Sequence, residues 1–199
     1  LVSMRIKRLA DFLVIIILLI FFLPLLILSS IIIKIEDSGP IFYSQIRTGY
    51  KGVPFKVWKL RTMIEGAEKK GVQWAKSKDP RITLIGSFLR KMRIDELPQL
   101  VSVINGKMSL IGPRPERPEF DLILETKIKH YRMRQLIKPG LSGWAQVNYP
   151  YGASIKDANM KLSYDLYYLK NFSNLIDVLI LFKTIRLVLN LKGAKPKKN

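Results

Sequence analysis

The run from Phe12 to Ile33 is almost wholly apolar, closed by Asp11 on one side and Lys34 on the other. No other feature constrains the chain as much. As an α-helix the run spans about 33 Å, the thickness of a bilayer hydrocarbon core. A secretory signal peptide fits it poorly, because the stretch is long and no small-residue cleavage site precedes the polar chain. Pro24 sits near its middle, with Ser29 and Ser30 behind it. Proline removes one backbone hydrogen bond and presses on the preceding turn, so a kink is expected near Phe21 to Leu23. The plainest form is a single kinked helix that spans the bilayer.

Charge argues for a different form. Arg5, Lys7 and Arg8 precede the run, and a strongly basic body follows it. Positive residues favour the cytoplasmic side, and one straight crossing cannot keep both ends there. A helix broken at Pro24 that enters and leaves the same leaflet can. The expected organisation is a re-entrant membrane helix over residues 1–36, a cytosolic domain over 37–191 and a basic disordered tail over 192–199.

The balance of 34 Lys and Arg against 15 Asp and Glu gives a net charge of +19. Such a surplus calls for polyanionic company: nucleic acid, anionic lipid or phosphorylated substrate. With 48% hydrophobic residues the chain is too apolar for a disordered basic tail. Cysteine is absent, which excludes disulfides and thiolate metal sites and suits a cytosol-facing protein. The chain opens on Leu1, which fits an unusual start codon, a start at Met4 or the C-terminal part of a longer protein.

Ile41 to Arg47 and Pro54 to Arg61 are rich in β-branched and aromatic residues and are separated by Thr48-Gly49-Tyr50-Lys51-Gly52, which predicts a hairpin. Helices are expected from near Met63, over Ile82 to Lys91 and over Leu97 to Ile104, with Asn105-Gly106 as a stop. Further helices are expected over 116–137, 155–170 and 174–191. Ile111-Gly112-Pro113-Arg114-Pro115 cannot be helical and must be a stiff turn. The last helix suits core packing and the lipid headgroup region equally well. The fold class is α+β: a helix-rich domain with a small hairpin behind a proline-broken membrane helix.

Asp95-Glu96-Leu97-Pro98 reads as a helix start, where capping is the ordinary role of an Asp. Its company suggests more. Arg90, Lys91 and Arg93 come just before it, Lys59 and Arg61 stand on the second strand, and Arg114 is presented from a low-entropy backbone. Adjacent carboxylates on a helix point about 100° apart and so suit different tasks. One can attack or take a proton while the other binds a hard cation, which typically takes one or two carboxylates plus phosphate oxygens. A helix N-terminus seats phosphate. No GxxxxGK[ST] loop occurs, so this is phosphoryl-transfer hardware of another kind. The stretch from Lys138 to Asn148 is stiff and glycine-punctuated. Trp144, Gln146 and Asn148 within it can line a pocket for a base or sugar, or belong to a packed Ω-loop. His130, the single histidine, is expected on a helix surface.

In order along the chain come an apolar helix with a central proline, Ser38-Gly39-Pro40-Ile41-Phe42, Lys59-Leu60-Arg61-Thr62-Met63 and Asp95-Glu96-Leu97-Pro98-Gln99. Met108-Ser109-Leu110-Ile111-Gly112-Pro113-Arg114-Pro115 and Pro139 through Asn148 follow. With these motifs the chain resembles the bacterial sugar transferases, the monotopic polyprenyl-phosphate phosphoglycosyl transferases, from about Arg5 to Leu191. Arg114 through Glu119 and Tyr151 through Ser154 are most similar to the exopolysaccharide-initiating members.

The resemblance implies transfer of a sugar-1-phosphate from a UDP-sugar to undecaprenyl phosphate at the bacterial inner membrane, with release of UMP. It also implies Asp95 as nucleophile, Glu96 as Mg²⁺ ligand and Lys59, Arg90 and Arg114 as supporting cations. The expected partners are the two substrates and membrane lipid rather than nucleic acid, with homo-oligomerisation left open. Glucose or galactose is the sugar suggested by analogy. Many members have Ser before the helix-breaking proline and Arg two residues past Ala-Gln-Val-Asn, where this chain has Leu23 and Pro150. Two other readings remain at this point: a membrane-tethered basic module without catalysis, and a hydrolase using the same aspartyl phosphate chemistry.

Overall fold

The computed structural model describes residues 2–68, 71, 79–150, 152 and 154–190. The predicted tail over 192–199, with Leu191, Tyr151 and Ala153, lies outside the described residues.

Helix α1 runs from Val2–Glu36 and is long and apolar enough to cross a membrane. Pro24 lies inside it, with helical residues on both sides as far as Glu36. A proline deletes a single i→i−4 bond, and the aliphatic run on either side keeps the helix going. One stripe of α1, through Lys7, Asp11, Ile15, Ser29 and Ile33, is buried at helical spacing.

Both flanks of α1 dock on the same body. At the N-terminal end Lys7 Nζ meets Asp177 Oδ2 at 2.6 Å, and Ser109 Oγ donates to Asp11 Oδ2 at 2.6 Å. Arg8 donates to the carbonyls of Val103 and Ile104. At the other end Ile33 packs with Leu60, Leu89 and Ile94, and Ile85 N donates to Glu36 Oε1 at 3.0 Å. Around Pro24 the helix is bare, with Ile20 67% and Phe21 73% exposed.

Strands β1 (Phe42–Thr48) and β2 (Pro54–Leu60) form the expected antiparallel hairpin, pairing Tyr43 with Lys59 and Arg47 with Phe55. One face of the hairpin buries Phe55 and Val57 in the main core and brings Lys59 to the same side. Among the described residues no helix starts near Met63. Met63 makes an isolated bridge to Ile82, residues 65–68 are a turn, and the segment from there to Asp79 lies mostly outside the described residues.

Helix α2 (Leu84–Met92) starts at a Thr83 cap whose hydroxyl accepts from Gly86 N. A Cβ on Gly86 would lie 2.2 Å from the Thr62 carbonyl oxygen, so only glycine lets α2 press against the end of the hairpin. The helix expected from Leu97 to Ile104 divides into a 3-10 helix, Ile94–Gln99, and α3, Leu100–Ile104.

Strand β3 (Ser109–Ile111) pairs in parallel with β4 (Gly140–Ser142), a two-rung ladder the sequence did not announce. Here Gly140 and Gly112 touch backbone to backbone, and a Cβ on Gly140 would sit 2.1 Å from Gly112 N. The helix expected over 116–137 breaks in two: α4, Pro118–Lys127, and a 3-10 helix, Tyr131–Leu136. Ile128 is extended, and His130, exposed as expected, holds a left-handed φ of 63° instead of lying on a helix. Part of the supposed Ω-loop is α5, Trp144–Asn148.

Helices α6 (Ile155–Lys170) and α7 (Asn174–Leu189) follow the sequence reading closely. Each begins at a serine cap, and Ser154 makes a reciprocal capping box with Asp157. Helix α7 is not a core helix. Ile180 is fully buried, while Leu175, Val178, Phe182, Ile185 and Leu189 lie exposed. The main core gathers Ile15, Val57, Leu100, Val103, Met108, Ile111, Tyr168 and Ile180 from most of these elements.

Candidate active site

Four segments converge beneath the hairpin. Lys59 comes from β2, Arg90 and Arg93 from the end of α2, Asp95 and Glu96 from the first turn of the 3-10 helix, and Arg114 from the turn after β3. Arg93 ends α2 in a left-handed conformation, φ 59°, which swings the chain directly into Ile94–Gln99. A non-glycine residue held at positive φ is strained, and such strain gathers at functional sites. The sequence gives no glycine to mark this turn.

Glu96 is buried at the centre of the cations. Its Oε1 accepts from Lys59 Nζ at 3.0 Å and from Arg114 Nη2 at 2.6 Å. Its Oε2 accepts from Arg93 Nη1 at 3.2 Å and from Arg114 Nη1 at 3.4 Å. Arg114 therefore grips the carboxylate with both ends of its fork. Burial opposes the charge on Glu96, yet Arg114, Lys59 and Arg93 together hold its carboxyl well below the usual carboxylate range. Burial also pushes the Lys59 ammonium below its ordinary value, with Glu96 opposing.

Asp95 is the opposite case. It is buried, and its Oδ1 has no hydrogen-bond partner among the described residues. The capping role that an isolated Asp would take is not seen: the residue before the helix is Arg93, and no side chain caps it. Burial raises the Asp95 carboxyl to about 6, the neighbouring charge of Glu96 adds to the rise, and Lys59, Arg90 and Arg93 counter it. The Arg90 guanidinium lies close enough to act on Asp95, and its Nε donates to Thr62 Oγ1 at 2.8 Å. The pair thus divides into one carboxylate saturated by cations and one poised and unpartnered. An unpartnered buried oxygen is costly and unusual unless it serves chemistry.

The sequence reading brought Lys59, Arg90, Asp95, Glu96 and Arg114 to one site, and the structure gathers all five. It adds Arg93 as a direct partner of Glu96, three residues away on the same turn. Trp144, Gln146 and Asn148 have their partners elsewhere. Trp144 stacks on Tyr167 at 5.7 Å beneath Lys183 Nζ, and Asn148 accepts from Lys183 at 2.7 Å. Gln146 Nε2 donates to the Leu141 carbonyl at 3.2 Å, and its buried Oε1 has no partner among the described residues. Trp144 and Asn148 join α5 to α6 and α7, and Gln146 Oε1 is the buried polar atom of the three without a partner among the described residues.

A profile of the family described as "Bacterial sugar transferase" matches residues 2–191. The chain belongs to the bacterial sugar transferase family. Among its relatives, the UDP-N-acetylgalactosamine-undecaprenyl-phosphate N-acetylgalactosaminephosphotransferase of Aeromonas hydrophila is 44% identical over 190 residues, 96% of this chain and 45% of the relative. The UDP-glucose:undecaprenyl-phosphate glucose-1-phosphate transferase of Escherichia coli K12 is 35% identical over 186 residues, 92% of this chain and 40% of that protein. The exopolysaccharide production protein ExoY of Sinorhizobium fredii is 36% identical over 203 residues, 94% of this chain and 87% of the relative. The chain thus spans less than half the length of the first two relatives and most of the third.

Whether the site fits a divalent cation depends on its donors. Among the described residues no group of three His, Cys, Asp or Glu gathers, so no all-protein cage exists. Mg²⁺ does not need one, since one or two carboxylates and substrate phosphates suffice. Asp95 Oδ1 is the open donor. Glu96, the expected ligand, has both oxygens engaged by cations and can serve a metal only by releasing one of them.

Proposed function

We propose that this chain transfers a sugar-1-phosphate from a UDP-sugar to undecaprenyl phosphate, with Asp95 as the nucleophile. The observation that carries the reading is the unpartnered, buried Asp95 carboxylate oxygen set among Lys59, Arg90 and Arg93. The printed names of the two undecaprenyl-phosphate transferases support the substrate class. A basic tether without catalysis accounts for neither the family membership nor that oxygen.

In the first half-reaction an Asp95 oxygen attacks the phosphorus that bears the sugar. A carboxylate–phosphate bond forms, the bridging P–O bond breaks, and UMP leaves with the bridging oxygen. In the second, a phosphate oxygen of undecaprenyl phosphate attacks the same phosphorus, breaks the bond to Asp95 and restores the carboxylate. One site serves two phosphate nucleophile–leaving-group pairs in turn, and covalent storage divides a hard step in two. Lys59, Arg90, Arg93 and Arg114 supply positive charge where the diphosphate sits, beside carboxylates that are themselves buried. Glu96 holds three of these cations in place until the substrate's oxygens compete for them. Mg²⁺, held by Glu96 with the phosphates, would neutralise diphosphate charge when bound.

The raised Asp95 carboxyl sets the pH response. Attack needs the ionised form, so the rate of UMP release is expected to rise with pH through about 6 and to level off above it. A profile already flat from pH 4.5 upward would contradict the assignment. Release of UMP across a panel of UDP-sugars, with undecaprenyl phosphate and Mg²⁺ supplied, tests the function itself. The two relatives name different sugars, glucose and N-acetylgalactosamine, so the panel includes both. Turnover of the UDP-sugar that continues without the lipid acceptor would favour a hydrolase instead.

The same reading puts the chain at the cytoplasmic face of the bacterial inner membrane, with α1 re-entrant. The docking of Lys7 and Arg8 at one end of α1 and Ile33 and Glu36 at the other on one body supports this, as does the bare stretch around Pro24. The exposed apolar residues of α7, with Leu84 and Phe88 of α2, suit the lipid interface. A cysteine placed at Met4 is then expected to resist a membrane-impermeant maleimide added outside intact cells. Labelling there would contradict the re-entrant form.

A further inference from the structure

The turn that presents Arg114 is held at every carbonyl. Pro113 O accepts from Gly140 N at 2.9 Å, Arg114 O from Arg134 Nη2 at 2.7 Å and Pro115 O from Arg47 Nη1 at 3.0 Å. Arg134 is the most committed of these donors. Its Nε donates to Asp165 Oδ2 at 3.0 Å, with Nη2 also 3.0 Å from that oxygen, and its Nη1 donates to the Tyr131 hydroxyl at 2.8 Å, so the guanidinium is shared among three partners. Asp165 is 1% exposed. A buried Arg–Asp pair is weak evidence for stability, because the loss of water offsets much of the attraction. What this pair does achieve is geometric: it aims a rigid guanidinium at the one carbonyl that belongs to Arg114.

We propose that Arg134, seated by Asp165, is a positioning residue for the transfer reaction: it fixes the Arg114 peptide so that the Arg114 fork meets the site of Glu96 and, in turn, the substrate diphosphate. The proposal rests on the phosphosugar-transfer reading above. Lysine at position 134 keeps the charge but, as a point donor without a planar fork, cannot reach all three partners in these directions. Arg134 itself touches carbonyl, hydroxyl and carboxylate groups behind the turn, so its influence on catalysis must pass through Arg114.

The test is a double-mutant cycle on the full membrane-embedded chain, read as UMP release from UDP-glucose or UDP-N-acetylgalactosamine. Arg134→Lys is expected to lower kcat roughly 10- to 100-fold, the scale of an ångström-sized misplacement, with KM moved far less. In an Arg114→Lys background the same substitution is expected to change the residual kcat less than about twofold, because the group it positions is gone. Asp165→Asn, which preserves side-chain volume, is expected to show the same dependence on Arg114. It decides the question alone if Arg134→Lys does not fold.

A purely structural role would give equal factors in both backgrounds, and that result overturns the proposal. An active parent enzyme indifferent to Arg134→Lys, or to Arg114→Lys, overturns it as well. In those cases the transfer reaction still stands. A parent chain that releases no UMP from either nucleotide sugar overturns the function and the positioning role together.

Discussion

Asp95→Asn is expected to lower UMP release about 10⁴-fold or more, the scale seen when a nucleophile is removed from an otherwise intact site. Asparagine is isosteric, so Lys59, Arg90 and the rest of the site keep their places, but its amide cannot attack phosphorus. The same variant is expected to be no less stable than the parent at neutral pH. Burial favours the protonated Asp95 carboxyl and raises it from 3.8 to about 6. An acid shifted upward destabilises the fold as it ionises: the cost is absent below pH 3.8, grows as the pH rises towards 6 and is complete above it. At ~1.4 kcal/mol per pKa unit the ceiling is about 3 kcal/mol. Asn carries no such cost, so unfolding measurements should show the variant gaining on the parent from pH 4 to pH 7. A variant less stable than the parent at pH 7 would mean that Asp95 is structural.

Glu96→Gln is expected to have the opposite signature, a loss of activity together with a loss of stability. The substitution keeps the shape and removes the charge, leaving Lys59, Arg93 and Arg114 crowded without the carboxylate they directly contact. Breaking a buried pair in this way costs about 3–5 kcal/mol, with the lower end expected here because both arginines keep some contact with water. The sign with pH also differs. The Glu96 carboxyl is held well below its ordinary 4.5, so its contribution is present above that value and lost as the pH falls through the depressed one. Denaturant unfolding at pH 7 should therefore separate variant and parent clearly. Inorganic phosphate should narrow the gap by offering the three cations a substitute anion. Equal stability of variant and parent at pH 7 would contradict the role given to Glu96.

Much of the site was legible because its parts carry local signals. Asp95-Glu96 stands out among nearby arginines, Pro113-Arg114-Pro115 cannot be anything but a turn, and Lys59 stands on the second strand of a readable hairpin. The hairpin was likewise readable from its residue types and turn and α2 from helical spacing, and α6 and α7 fall where they were expected. What could not be read depends on contacts between residues far apart in the chain. Arg134 reaches back 20 residues to the Arg114 carbonyl and forward 31 to Asp165, and nothing near Arg134 announces either partner. The β3–β4 ladder has two rungs, too few to leave a strand pattern of its own.

Left-handed turns at Arg93 and His130 went unread for a related reason. Neither is glycine, so the usual mark of positive φ is missing, and tertiary packing imposes the conformation. The first of these turns also explains why capping was the wrong local account of Asp95. With Arg93 in the cap position, Asp95 falls inside the turn, where its carboxylate faces the site instead of the backbone.

The central claim is that Asp95 carries the phosphosugar between the two half-reactions. Its most direct test is intact and peptide-level mass spectrometry of the membrane-embedded chain, quenched after mixing with the accepted UDP-sugar and Mg²⁺ in the absence of undecaprenyl phosphate. The account predicts a sugar-phosphate adduct on the peptide bearing Asp95, formed in step with UMP, absent from Asp95→Asn and discharged when undecaprenyl phosphate is added. Full turnover to lipid-linked product by an Asp95→Asn chain, or UMP release with no adduct at any time before acceptor is added, would contradict it.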